Sequence, residues 1–178
     1  MFNLLAEVVI QERGEGAWDE ILDDAGADGA YTSLGSYPDA ELLKLLAATN
    51  PARQSPRSSL RWFGRAAMPL LARRYPDFFS QHRSTRSFLL TLNEIIHTEV
   101  RKIYPGSDVP DFDFDKLSAS DQLVLGYQSK RKLCGLAEGL IEGAADHYSE
   151  RVSIEQTLCM QRGDEKCVLV CRFSPPPG

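Results

Sequence analysis

One apolar helical stripe constrains the fold of this chain more than any other feature of its sequence. Between residues 86 and 104, apolar side chains recur at the spacing of an α-helix, and Pro105 and Gly106 follow as a stop signal. His97 lies on that stripe. The pattern predicts one continuous helix over 86–104 with an imidazole on its apolar side.

The rest of the chain divides into a helical N-terminal part and a mixed C-terminal part. Helical spacing also predicts helices over 3–12, 18–26, 38–46, 60–75 and 132–148. Strands are predicted over 123–130, 152–158 and 166–173, the last two as a hairpin. We expect Pro69 to kink its helix or to follow a break, and residues 109–116 to form an irregular loop. The order of elements predicts an α+β fold in one domain over 1–173, with a disordered tail over 174–178.

The composition is that of an ordinary globular domain and argues against several classes of protein. The 178 residues suffice for one core, with 43% hydrophobic and 25% charged residues. A formal net charge of −5 argues against nonspecific nucleic-acid binding. The sequence has neither an apolar run long enough to span a membrane nor a signal peptide. We therefore expect a cytoplasmic protein without nucleic-acid or membrane partners, whose four cysteines are thiols, metal ligands or redox groups.

A short polar motif lies between the strand and the last predicted helix. Tyr127, Ser129 and Arg131 alternate, and alternate residues of a strand point to one face. That face would carry two hydroxyls and a guanidinium, which together can bind a carboxylate or a phosphate. The alternative is an ordinary strand with a polar outer face, and the spacing alone does not separate the two.

In combination, these features resemble the H-NOX family. The resemblance rests on His97 in an apolar helix, on the Tyr127-x-Ser129-x-Arg131 motif, and on the glycine-bearing helix behind it. H-NOX domains are heme-nitric oxide/oxygen-binding sensors related to the heme domain of soluble guanylate cyclase, and this chain resembles the stand-alone bacterial type. The likeness extends from about Asn3 to Phe173. It implies a helical N-terminal part, followed by a helix and a small antiparallel sheet that enclose heme b.

The resemblance also implies a role for individual residues. His97 would be the axial ligand of the heme iron, and Tyr127, Ser129 and Arg131 would bind the heme propionates. Asp39 matches an acidic partner of that arginine in the family, although a carboxylate that starts a helix explains it equally well. Pro110 matches a proline that distorts the family's heme, with an ordinary loop proline as the alternative.

The predicted gas pocket is apolar. Oxygen-binding members of the family carry a tyrosine five residues after the motif arginine, and this chain has Leu136 there. The other positions that match the pocket are also apolar: Leu5, Ala67, Leu71 and Leu140. The resemblance therefore implies NO as the ligand, CO as a further candidate and O2 as a poor one. Met1 precedes the first helix closely, so we expect it near the heme and expect the short start to weaken heme retention.

The cysteines form a second candidate site. Cys134, Cys159, Cys167 and Cys171 all fall in the last third of the chain, and four thiolates brought together would bind zinc. Some H-NOX proteins carry such a zinc-cysteine cluster, which also acts as a redox switch. The spacing is not that of a zinc knuckle, and buried cysteines that pack as small hydrophobes are the alternative.

The predicted function is sensing rather than catalysis, since no nucleophile, phosphate loop or acidic pair is placed for a reaction. The family resemblance implies that the chain regulates a separate partner, either a histidine kinase or a cyclic-di-GMP enzyme. Two alternatives remain open. One is a heme-independent zinc and cysteine redox sensor on the same fold, and the other is an interaction scaffold.

Overall fold

The computed structural model describes residues 1–33, 35–49, 55–104, 106–115, 119 and 121–175. Its α-helices are α1 (Phe2–Arg13), α2 (Gly16–Ala25), α3 (Asp39–Thr49), α4 (Pro56–Arg74), α5 (Pro76–Ser80), α6 (Thr85–Leu89), α7 (His97–Ile103) and α8 (Cys134–His147). Its strands are β1 (Asp111–Asp115), β2 (Gln122–Gln128), β3 (Arg151–Leu158) and β4 (Cys167–Ser174). The predicted stop at Pro105 and most of the predicted tail lie outside the described residues.

The four strands form one antiparallel sheet in the order β1-β2-β4-β3. β3 and β4 form the predicted hairpin, with a 3₁₀ turn at Met160–Arg162 between them. The predicted α+β fold, a helical part followed by a small antiparallel sheet, is confirmed. Within the described ranges, no helix has both the length and the hydrophobicity required to cross a membrane.

The predicted single helix over 86–104 is wrong, because this segment is divided. α6 is followed by a π-helical turn over Leu92–Ile96, and α7 begins at His97. The hydroxyl of Thr91 donates to the carbonyl of Phe88 at 2.7 Å, a local bond that competes with continued α-helical pairing. None of the residues of the π-helical turn or of α7 is buried, although several are apolar.

Two further predictions about local structure need correction. The stretch 109–116 is not an irregular loop, since residues 111–115 form the edge strand β1. Its sequence alternates aspartate with Phe112 and Phe114, and the phenylalanines are the less exposed set, as the pleat requires. Pro69 does not break its helix, because α4 continues across it. The ring of Pro69 is exposed, and the carbonyl of Arg65, which loses its amide partner, lies on the side of α4 that approaches Gly143 of α8.

The apolar side chains form two clusters. One joins α1, α2 and α3 to one side of α4, and includes Leu5, Leu42 and Phe63. The other joins the sheet to α6 and α8 and includes Leu125 and Ile141. The helices α4 and α8 contribute to both clusters and therefore connect the two parts of the domain.

The backbones of α4 and α8 approach each other unusually closely. Glycines one helical turn apart on α8 face the backbone of α4: Gly135 faces Arg57, Gly139 faces Arg61 and Gly143 faces Arg65. A Cβ added at Gly135 or Gly143 would lie 2.8 Å from an α4 carbonyl oxygen, which is inside van der Waals contact. Because positions i and i+4 share one helix face, these glycines form a continuous smooth strip.

Three ion pairs flank the glycine strip. They also repeat at one-turn intervals, and they join Arg57 to Glu138, Arg61 to Glu142 and Arg65 to Asp146. Each guanidinium donates from both Nε and Nη2, which is the fork geometry that arginine offers a carboxylate. The side chain of Glu138 is only 1% exposed, so the Arg57 charge is required to compensate its burial.

We expect Gly139→Ala to destabilise the fold by about 1–3 kcal/mol, since the added methyl group forces α8 away from α4. Gly16→Ala is the matched control, because the space around Gly16 is open, and we expect it to be neutral or stabilising by about 0.5–1 kcal/mol. Urea denaturation followed by circular dichroism measures both. Equal stability for the two variants would contradict this account of the α4–α8 contact.

Candidate functional site

The imidazole of His97 is half-buried and incompletely bonded. Its Nδ1 atom is buried and has no hydrogen-bond partner among the described residues. The ring stacks on Phe112, with centroids 5.6 Å apart and planes at 24°. Burial lowers the pKa of the imidazole, and the positive charge of Arg101 lowers it further. His97 is therefore neutral at physiological pH, with a nitrogen lone pair available for a metal.

The predicted pocket residues come from three helices and mostly belong to one cluster. That cluster is the one that includes the N-terminal helices. The predicted pocket residues in it are Leu5 on α1, Ala67 and Leu71 on α4, and Leu136 and Leu140 on α8. Leu71 and Leu140 also contact the second cluster. None of these side chains offers a hydrogen-bond donor. Met1 differs from the set, since 45% of its surface is exposed and it lies outside both clusters.

The polar motif does not form one face of a strand, because β2 ends at Gln128 and the chain then turns. The amide of Leu133 donates to the hydroxyl of Tyr127 at 3.1 Å. Within the turn, the amide of Arg131 donates to the hydroxyl of Ser129 at 3.2 Å. The turn thus brings the three predicted side chains together by local hydrogen bonds rather than by strand alternation.

The Arg131 guanidinium is paired with Asp39, at the start of α3. Its Nε atom donates to both carboxylate oxygens of Asp39, at 3.0 and 2.9 Å, and Nη2 donates to one of them. Of the two roles that the sequence left open for Asp39, the structure shows both, because Asp39 bonds Arg131 and also begins α3. The Asp39 carboxylate raises the pKa of the half-buried guanidinium, so Arg131 is always charged. Nη1 has no partner among the residues that the structure describes, and it remains able to bind a further anion.

Two residues that the sequence reasoning missed lie beside His97. Asn93, one turn earlier on the π-helical turn, bonds through its side chain to the backbone of Phe112. Phe112 follows the half-buried Pro110 closely, and its ring lies 5.6 Å from His97 and 5.7 Å from Tyr127. A polar residue within an otherwise apolar stripe was the available signal for Asn93. The alternation of Phe112 with aspartates was the signal for the strand.

Three of the four cysteines converge. The sulfur atoms of Cys134, Cys159 and Cys167 all lie within 4.8 Å of one another and are buried. Cys134 begins α8, Cys159 follows β3 and Cys167 begins β4. The predicted convergence of all four thiols is not found, because Cys171 lies outside this group. Cys171 and Cys167 share one strand face, but four residues of a strand span about 13 Å.

The electrostatics of the thiols differ with their surroundings. Burial raises the pKa of Cys134, and it raises the pKa of both Cys167 and Cys171 to about 12. Burial acts in the same direction on Cys159, but the backbone amide of Gln161 and other neighbouring donors outweigh it, so the pKa of Cys159 is lowered. Cys159 is therefore the thiol that most readily becomes a thiolate within the cluster.

The chain belongs to the Haem-NO-binding family, whose model matches residues 1–156. Its fold matches that of an H-NOX protein from S. oneidensis, solved in the Fe(II)NO state, with a TM-score of 0.86 and 30% identity over 97% of each chain. The Fe(II)CO form of an S. oneidensis H-NOX domain gives 0.85 and 29% identity over 97% of this chain and 96% of that one.

A more distant H-NOX protein, from K. algicida and in the unliganded Fe(II) state, shares the fold at 22% identity. Its TM-score is 0.82, and the match covers 99% of this chain and 96% of that one. Among curated proteins, none gives a significant match. The predicted membership of the H-NOX family is thus confirmed, and the family consists of heme-based gas-sensing domains.

The residues of this chain fit a heme. An imidazole nitrogen of His97 is buried without a partner, a state that costs free energy unless a ligand such as iron uses it. Leu92 and Ile96, on the π-helical turn that precedes His97, are apolar and only partly buried, so a large apolar group can cover them further. Arg131 and the Tyr127 hydroxyl supply polar groups suited to carboxylates.

The Asp39–Arg131 pair should show a measurable coupling energy. We expect Asp39→Asn and Arg131→Gln to be non-additive by about 0.5–1.5 kcal/mol, since both side chains are about one third exposed and the pair is bidentate. A double-mutant cycle by urea denaturation measures this quantity. The exposed pair of Arg172 and Glu155 is the control, where coupling near zero is expected. Additive effects at Asp39 and Arg131 would contradict the prediction.

Proposed function

We propose that this chain is a heme-based sensor of NO, in which His97 is the axial ligand of ferrous heme b. The observation that carries the proposal is the buried, partnerless nitrogen of a neutral imidazole, within a fold of the Haem-NO-binding family. Neutral imidazole is the form that binds iron. The Fe(II)NO state of the similar S. oneidensis protein supports NO as the ligand.

When bound, ferrous heme would supply an iron to which diatomic gases bind, with His97 as the protein ligand of that iron. Tyr127, Ser129 and Arg131 would bind the heme propionates, because carboxylates entering an apolar site need charged or hydroxyl partners. Asp39 orients the Arg131 fork through Nε and Nη2 and leaves Nη1 free to donate. This proposal assigns Asp39 a positioning role.

The apolar cluster supports a preference for NO over O2. Bound O2 is polar and is stabilised by a hydrogen-bond donor, whereas NO binds without one. Leu136 and Leu140 of α8, like Leu5, Ala67 and Leu71, provide no donor. CO is a further candidate ligand. Met1 near the heme stays a prediction. Burial lowers the pKa of its amino group, and the positive charge of Arg131 lowers this pKa further, as expected of a terminus close to the proposed propionate ligands.

Signal output would follow from the release of His97. The π-helical turn and α7 have no fully buried residue, and Leu92 and Ile96 pack against the apolar cluster only in part, so this segment is less firmly held than the core helices. Pro110 would press on the heme from the strand side. The moved surface, which includes the exposed Ile95 and Ile103, would regulate a separate histidine kinase or cyclic-di-GMP enzyme. A cytoplasmic location remains a prediction.

We expect His97→Gly to lose at least 90% of its heme, roughly the effect of removing one coordinate bond, and to regain heme with added imidazole. The visible spectrum of the reduced protein measures heme content. A Soret shift on adding NO, without a stable O2 complex in air, would support the preference for NO over O2. His147→Gly is the control, since His147 is exposed. Normal heme content in the His97 variant would refute its ligand role.

A second function, carried by the thiols, is supported by one observation. The sulfur atoms of Cys134, Cys159 and Cys167 lie within 4.8 Å of one another, which is the spacing of ligands around a tetrahedral zinc ion. We infer that they bind zinc beside the heme, with a fourth ligand other than Cys171. The heme-independent alternative is not favoured, because the chain belongs to a heme-binding family.

The zinc content of cysteine variants should distinguish the three clustered cysteines from Cys171. We expect Cys134→Ala to lower bound zinc from about one equivalent to near zero, since the site keeps only two thiolates. Cys171→Ala is the matched control and should retain zinc, because its sulfur lies outside the cluster. Metal analysis after purification measures both. Zinc loss in both variants, or in neither, would contradict the three-thiol site.

A further inference from the structure

Asn93 bonds an edge strand through its side chain. Its amide nitrogen donates to the carbonyl of Phe112, and the amide of Phe112 donates to its side-chain oxygen at 3.2 Å. β1 is an edge strand of the sheet, so within the described residues the outer backbone groups of Phe112 have no strand partner. The side chain of Asn93 bonds both outer backbone groups of Phe112, its amide and its carbonyl, as a neighbouring strand would. This pair of hydrogen bonds connects the π-helical turn directly to the sheet.

The bonded residue contacts both parts of the proposed heme site. The ring of Phe112 stacks on His97 at 5.6 Å and lies 5.7 Å from Tyr127, its register partner in β2. Fixing the backbone of Phe112 therefore fixes a ring that lies between the proposed axial ligand and a proposed propionate ligand. Asn93 itself lies one helical turn before His97. It is therefore linked to both rings of the His97–Phe112 contact, to one along the chain and to the other by hydrogen bonds.

The π-helical turn sets the direction of His97. The amide of Ile96 donates to the carbonyl of Thr91 at 3.3 Å, five residues back, and the hydroxyl of Thr98 donates to the carbonyl of Asn93 at 3.2 Å. A π turn holds one residue more than an α turn and persists only where its surroundings stabilise it. Leu92 and Ile96 of this turn pack against the apolar cluster of the sheet but are only partly buried, so the two Asn93 bonds add a polar connection to an incomplete apolar contact.

We propose that Asn93 is a positioning residue for His97, which by bonding the backbone of Phe112 keeps the π-helical turn and directs the imidazole toward the iron. This inference rests on the proposed function, since it requires His97 to be the axial ligand. Asn93 does not contact the iron or the gas. It sets how readily the imidazole is released and therefore how readily the sensor switches.

The test compares three variants of the full chain, as purified and after heme loading. Asn93→Ala removes both bonds, and Asn93→Asp keeps only the acceptor for the Phe112 amide. Tyr148→Phe is the matched control, since it removes a side-chain-to-backbone bond of 2.9 Å, to Phe79, away from His97. The readouts are amide hydrogen exchange over 92–103, and the Soret position that distinguishes histidine-bound from histidine-free heme in NO.

We expect Asn93→Ala to accelerate exchange over 92–103 by roughly tenfold, because two hydrogen bonds are lost, and to raise the histidine-free fraction. Asn93→Asp should give intermediate values, and Tyr148→Phe should match the wild type in both readouts. Equal behaviour of Asn93→Ala and Tyr148→Phe would overturn the proposal, as would faster exchange with an unchanged histidine-free fraction. Failure of the proposed function appears separately, as heme retained by His97→Gly.

Discussion

The backbone contact between α4 and α8 is the constraint on which the rest of this structure depends. Glycines on α8 let the backbones of the two helices come into direct contact, and the flanking arginine–carboxylate pairs fix the register of the helices. These two helices belong to both apolar clusters, and they carry Ala67, Leu71, Leu136 and Leu140 of the proposed gas pocket. A pocket wall built on so close a contact cannot adapt easily, which favours a fixed apolar shape for the ligand site.

The segment that carries His97 has the opposite character. It is divided into a short helix, a π-helical turn and α7, and no residue of the last two is buried. Local stability varies across a structure, and elements that move are drawn from its least stable parts. The domain therefore places a candidate axial ligand on a segment that is only partly buried, whereas α4 and α8 are held together by a close backbone contact.

The proposed heme and zinc sites share the connection from β2 to α8. Tyr127 accepts a hydrogen bond from the amide of Leu133, and the next residue, Cys134, begins α8 and belongs to the thiol cluster. Tyr127 also lies opposite Cys167 in the sheet. Only six residues of chain separate Tyr127 from Cys134, so the two proposed sites are joined by one short connection.

The sequence by itself determined the elements that depend on local pattern. Helical periodicity, strand alternation and the His97 and Tyr127-x-Ser129-x-Arg131 motifs predicted the α+β fold and the family, because each of these signals is a pattern within a short stretch of chain. Only the tertiary structure decided the division of the helix before His97, the strand at Phe112 and the group of three thiols. Asn93 and Phe112 are 19 residues apart, and Cys134 and Cys159 are 25 apart. Contacts at such separations depend on how elements pack, which no local pattern records.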